Sequence, residues 1–306
     1  MTTPYYIWTG SPIAVNYTVT DAEGKVLTEG TDYTASFSPA TVQEVGEYAL
    51  TITGKGSYTG TKVVTFEVRR TLYGSGTADD PYQIGSDIDW KTFADWINNE
   101  NTTYRNKYYK LTADINVTTT VGTSEDNSFR GTFDGDGHTM TLDLTSEGDY
   151  WAPFRYGYNG VTLKRIHVAG TINTSHRYAA GLVGYQKYNL DIINCWNSVT
   201  INSSTNDNYP DHGGFIGYVY GTTNLTNCRF DGKLLGPDSK ACGGFVGYQS
   251  SGYTINVTNC LYAPTEVTVS TESNSSTFVR ITVQQTLPTA ITLRLWESSK
   301  VLPLAL

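Results

Sequence analysis

The residues best suited to catalysis lie in the stretch FDGDGHT, residues 133–139, where Asp134, Asp136 and His138 fall within five positions. Two carboxyls near a histidine are the equipment of a glycosidase or polysaccharide lyase, one acid protonating while the other abstracts or attacks. Alternating Asp and Gly is also turn chemistry, in which Asp side chains bond the nearby backbone, and this structural reading is the one adopted. The other histidines, His167, His176 and His212, are scattered and form no triad or metal spacing. No CxxC pair, phosphate-binding loop or nucleophile elbow occurs. The expectation is therefore a chain without catalysis, cofactor or metal.

Aromatic residues offer a second kind of chemistry, the stacking of ring faces on sugars. If Cys195 points inward in a strand, Trp196 points outward, in a column with His167, Arg229 and Leu261. Such a tryptophan either stacks against a sugar ring or packs on a neighbouring loop such as 203–212. Trp151, Tyr156 and Tyr158 form a second cluster with the same two readings. Trp196, Trp151, Tyr156 and Tyr158 are the candidate ligand-binding residues. Tyr185, Tyr218 and Tyr248 recur as a ladder whose facing the spacing leaves open.

The elements that position these residues repeat. GLVGY at 181–185, GFIGY at 214–218 and GFVGY at 244–248 are each followed by an Asn-Cys pair, at 194–195, 227–228 and 259–260. A period of this length means stacked units that bury their apolar faces on one another. Short alternating runs of Val, Ile, Leu, Phe and Tyr broken by Gly and Asn make each unit a coil of a β-solenoid. Cys195, Cys228 and Cys260 then stack inward as free thiols, with Ile166 in the same place one coil earlier and Cys242 outside the ladder.

Residues 1–70 read as a separate small β-sandwich, with alternation in 13–20, 48–53 and 62–68 and turn residues between. A linker covers 71–76, and the solenoid covers 77–280. Within it, residues 86–98 form an amphipathic helix. Ser86 caps it, and Ile88, Trp90, Phe93, Ala94 and Ile97 make an apolar stripe suited to covering the open end of the first coil. Trp90 and Trp96 belong to that cap.

The 306 residues carry a net charge of −8, with 16% charged residues, 30 Gly and 23 Tyr. There is no basic stripe for nucleic acid and no apolar run of membrane-spanning length. The chain opens MTTPYYIWTG, without a signal peptide, so the protein is either cytosolic or trimmed with Met1 added, and trimming is the preferred expectation. From 281 to 306 there is no Gly, Tyr, Asn, Asp or Phe, and six Leu appear. The −1 reading frame can spell Y-x-GTTNLTNC there, matching GTTNLTNC at 221–228, so a change of coding frame near Arg280 is expected. The alternative is an amphipathic β-tail that seals the last coil. The gene's nucleotides decide between them.

Two resemblances complete the reading. EGTDYTASFSPATVQEVGEYALTITGKGSYTGTKVVTFEV, residues 29–68, resembles the Ig-like repeats of bacterial surface proteins, which act as spacers or stalks. GSGTADDPYQI at 74–84, YYKLTADI at 108–115, FRGTFDGDGHT at 129–139 and the repeated GY…NC phrase together resemble the GLUG-repeat proteins of Bacteroidetes and related adhesins. That resemblance implies a right-handed β-helix, secreted or anchored at the cell surface with its signal peptide removed. The resulting expectation is an all-β, non-catalytic adhesion or display protein whose partners are glycans or host or bacterial surface proteins. A carbohydrate-active β-helix enzyme and a pure spacer are the alternatives.

Overall fold

The computed structural model describes residues 5–8, 11–69, 71–99, 101–269 and 279–281. The described residues are mostly strand, with little helix. The chain divides into two compact units, residues 1–71 and 72–306.

In the first unit, strands Tyr5–Ile7, Thr61–Arg69, Gly46–Gly54 and Tyr33–Ser38 form one sheet in that order. The first pair is parallel and the others antiparallel. Alternate residues Tyr48, Leu50, Phe66 and Val68 meet Val42 on one face, and Ile13, Val15 and Tyr17 pack against them. The stretch 13–20 keeps the expected alternation in burial but forms no ladder, only a bridge from Thr20 to Val26. It lies across the sheet's apolar face, so its backbone reaches partners only at points, such as Ile13 N–H to Val42 O.

The second unit is a β-solenoid of about six turns. From Phe154 onward the coils contribute strands to three sheets, and every ladder between successive coils is parallel. One sheet runs through Phe154–Tyr158, Val183–Lys187, Ile216–Tyr220, Val246–Gln249 and Val279–Ile281. A second includes Thr132–Asp134, Val161–Lys164, Leu190–Ile193, Thr223–Thr226 and Ile255–Thr258. The third begins with Ile115–Val117, Thr139–Thr145 and His167–Thr174.

The Asn-Cys phrase marks the corner between the second and third sheets. Asn194, Asn227 and Asn259 all have φ between 52° and 55°, a left-handed conformation that Asn tolerates better than most residues. Asp136 and Arg165 hold the same conformation in the earlier coils. After each corner the chain turns inward, and Cys195, Cys228 and Cys260 are buried, free thiols. Each thiol donates to the carbonyl two residues before it, those of Ile193, Thr226 and Thr258. The Asp-Gly turn at 134–137 is such a corner too: Thr132–Asp134 and Thr139–Thr145 pair in different sheets.

The helix Asp87–Asn99 precedes the first coils. Ser86 Oγ accepts the Asp89 N–H, and Asp89 Oδ2 accepts from the Ser86 hydroxyl and the Gly85 N–H. Trp90, Phe93, Ala94 and Ile97 are buried in the solenoid core. Phe93 sits 4.2 Å from the Tyr109 ring and 5.5 Å from that of Phe129. Ile88 is not part of this stripe and is 43% exposed. At about 100° per residue it lies well around the helix from Phe93 and Ile97. Beyond Asn99 the chain makes a further short helical turn, Asn101–Tyr104.

Val279 pairs with Val246, continuing the first sheet, and the register shifts before the pairing of Ile281 with Gln249. The stretch 282–306, to which the expected frame change applies, lies outside the described residues.

Candidate functional site

The tyrosines of the repeated phrase stand in line. Tyr156, Tyr185, Tyr218 and Tyr248 are consecutive partners in the first sheet. The last three rings are stacked, with centroids 5.5 and 4.9 Å apart and planes 14° and 16° from parallel. All are half-buried and lie outside the apolar core, so the ladder faces outward. Val183 and Gln186 are both fully buried, three positions apart. Strict alternation therefore fails between them, and Gly184 and Tyr185 share the outer side.

An outer layer covers this ladder. Tyr150 and Tyr178 stack on each other at 4.8 Å and meet Tyr185 and Tyr218 edge-on at 5.1 and 5.2 Å. Their carbonyls explain the second glycine of the phrase. A Cβ on Gly184 would lie 1.8 Å from Tyr150 O, and one on Gly217 would lie 2.0 Å from Tyr178 O. Burial pushes Tyr150, Tyr178 and Tyr185 up, the last reinforced by Glu125. These rings serve as packing.

At the edge of the sheet a second column is more open. It consists of Tyr158, Tyr188, Tyr220 and Tyr253, with Tyr188 and Tyr220 about two-fifths exposed. Tyr158 meets Tyr188 at 5.1 Å and 82°, and Tyr220 meets Tyr253 at 4.9 Å and 54°. Tyr188 and Tyr220 thus keep ring area toward solvent, whereas the inner ladder's rings are stacked on one another. The Arg130 guanidinium lies 4.4 Å over Tyr158, and the Lys187 ammonium lies 5.5 Å from the same ring. Glu125 reaches in from another loop, accepting from the Tyr185 hydroxyl at 2.7 Å and pairing with Lys187 at 2.7 Å. Lys187, and after it Tyr185, holds the Glu125 carboxyl below its usual range. Aromatic faces bordered by hydroxyls and a neutralised charge pair suit an amphipathic ring such as a sugar.

Of the four residues singled out from sequence, Tyr156 and Tyr158 belong to these two columns. Trp151 is only 8% exposed, with the Arg155 guanidinium 4.4 Å over its ring, so burial takes it out of reach of a ligand. Trp196 does point outward and is 40% exposed, but its indole is flanked by residues of the neighbouring coils. His167 stacks on it at 3.9 Å, and Arg229 lies 5.1 Å away in the next coil. Its N–H donates to Asp231 at 2.6 Å. Tyr188, Tyr220 and Tyr253 were missed. The signal was present for two of them, since Tyr188 and Tyr220 each follow a GxxGY phrase within three positions.

The acidic pair is neutralised. Asp134 binds Arg165 at 2.6 Å and Lys164 at 3.2 Å, and Asp136 binds Lys110 at 2.7 Å and Arg165 at 2.9 Å. Burial would raise the Asp134 carboxyl, but Arg165, the Asp136 N–H and Lys164 together hold it low. Lys110 does the same for Asp136. A general acid needs the opposite shift. His138 contacts Asp114 instead, at 3.3 Å. Among the described residues no group of three His, Cys, Asp or Glu could hold a metal.

His212 is wholly buried. Its Nδ1 accepts the Ala179 N–H at 3.1 Å, so the ring proton sits on Nε2, 2.9 Å from Ser203 Oγ. Burial pushes the imidazole down to about 4 from an ordinary 6.5. The unfolded chain takes up this proton first, so the stabilisation is complete above the ordinary value and is lost as pH falls toward 4. The expected loss is about 3 kcal/mol. His167, also pushed down by burial, acts in the same direction. Urea midpoints should fall between pH 7 and pH 4.5 and fall much less in His212→Gln. Equal wild-type midpoints at the two pH values would contradict this assignment.

No family model matches the chain, and no solved structure matches it. It is similar to halomucin of Haloquadratum walsbyi (strain DSM 16790 / HBSQ001), with 28% identity over 178 residues, 50% of this chain. The chain spans 2% of that relative's length.

Proposed function

We propose that this chain is a non-catalytic adhesion or display protein, secreted or at the cell surface, that binds glycan through its tyrosine strip. The observation that carries the reading is the column of Tyr158, Tyr188, Tyr220 and Tyr253 on successive coils, in which Tyr188 and Tyr220 are exposed. In this reading the solenoid is a right-handed helix of the GLUG-repeat type and the helix Asp87–Asn99 caps its first coil. The first unit is an Ig-like spacer. The partial likeness to halomucin is compatible with an extracellular location, and no described helix is long and apolar enough to cross a membrane. Against a carbohydrate-active enzyme stands the pairing of Asp134 and Asp136 with three cations.

A broad glycan array tests the reading. The full chain should bind some glycans saturably, Tyr188→Ala and Tyr220→Ala should each weaken binding by roughly tenfold, and Trp196→Ala should leave it intact. An array without any binding would favour the pure spacer.

A further inference from the structure

We propose that the strip receives one extended, uncharged, equatorially linked polysaccharide chain running along the solenoid axis, one sugar to each coil. This rests on the glycan reading above and specifies its ligand. Three observations carry it.

The first is pitch. Tyr158, Lys187 and Tyr220 are direct partners in successive parallel strands, with Tyr188 next to Lys187. Parallel strands lie about 4.8 Å apart, close to the advance of one sugar in a flat, equatorially linked chain. Tyr158 and Tyr220 hold the same register position two coils apart, and Tyr188 and Tyr253 stand beside them in the other two coils, so a chain of four sugars would span the strip. An axially linked chain coils away after one or two contacts.

The second is ring exposure. Tyr188 and Tyr220 are 44% and 39% exposed, with Tyr158 and Tyr253 half-buried beside them, whereas the inner ladder at 14° and 16° is closed on itself. Pyranose rings present C–H faces that suit such exposed aromatic surfaces.

The third is charge. Glu125 is neutralised by Lys187 at 2.7 Å. Arg130 spreads its charge over Tyr158 and directs N–H groups to Ser128 Oγ and the Glu125 carbonyl. With the Glu125–Lys187 pair closed on itself and Arg130 spread over a ring, the strip carries little concentrated charge and suits an uncharged ligand. The Tyr158 and Tyr188 hydroxyls bond each other, as do those of Tyr220 and Tyr253, and each pair still has hydrogen-bonding capacity for sugar hydroxyls.

Cello-oligosaccharides of increasing length, titrated into the full chain, test the proposal. Affinity should rise a few-fold with each sugar up to four and then level off. Tyr188→Ala and Tyr220→Ala should each lower tetramer affinity by roughly tenfold, and Tyr209→Ala, an exposed tyrosine outside the strip, should not. Malto-oligosaccharides should bind without this rise. Equal affinity for glucose and the tetramer, equal binding of the malto series, or tetramer binding untouched by both strip mutations would overturn the proposal. So would array binding to branched or acidic glycans without binding to the cello series, which leaves the broader glycan reading standing. Failure to bind any sugar would remove both.

Discussion

Gly184→Ala is expected to cost about 3 kcal/mol or more of stability and to disrupt the tyrosine face. The added methyl would lie 1.8 Å from Tyr150 O and 2.9 Å from Arg155 O, both backbone atoms. No side-chain rotation relieves such a contact. Either the strand around Val183 or the segment carrying Tyr150 must move. Because Tyr150 packs on Tyr156, Tyr178, Tyr185 and Tyr218, its displacement loosens the whole outer layer. A useful contrast is Gly160, which has φ of 86° and open space where a Cβ would go. Gly160→Ala should cost only the left-handed strain, about 1 kcal/mol. Urea unfolding of the two variants compares them directly, and equal midpoints would show that the overlying carbonyl does not constrain the phrase.

Phe93→Ala should cost about 4 kcal/mol. Its ring is fully buried and lies between 4.2 and 6.4 Å from those of Trp90, Tyr109, Phe129, Phe133 and Phe154. Removal leaves a cavity where the helix meets the first coils, and rigid strands cannot close it. Ile88→Ala, on the exposed side of the same helix, should change stability by less than about 0.5 kcal/mol. Solenoid stability is carried by nearest neighbours. Hydrogen exchange in Phe93→Ala should therefore quicken first at Tyr109–Leu111 and Thr132–Asp134, and later in the coil that carries Tyr248. Uniform quickening over all coils would argue against a local role for the helix.

Much of the solenoid was legible because its signals are local. A polar residue that tolerates the left-handed conformation, followed by a small apolar one, marks each corner in Asn194-Cys195, Asn227-Cys228 and Asn259-Cys260. The helix was legible from Ser86 and the spacing of Trp90, Phe93 and Ile97, while Ile88 was assigned to the stripe although its angular position excludes it. The stretch 13–20 illustrates a different limit. Alternation reports which side chains are covered, and it is silent on whether the backbone finds a ladder.

The candidate site was only partly legible, for a related reason. Trp196 was read as outward, and it is, yet its use depends on His167 and Arg229, which arrive from the coils on either side. Asp134 and Asp136 were read as turn residues, and nothing local showed that Lys110, Lys164 and Arg165 would pair with them.

The sequence by itself determined the repeated coil, its inward cysteines and its helix, since each follows from the conformational preference and spacing of neighbouring residues. Only the tertiary structure decided that the tyrosine ladder faces outward, because Gly184 and Tyr185 sit together between two inward residues and break the two-residue period. It alone brought Glu125 to Tyr185, 60 positions away, and set Tyr158, Tyr188, Tyr220 and Tyr253 in one column. Contacts between coils depend on the register of whole turns, and loops of unequal length change that register in ways that no local pattern records.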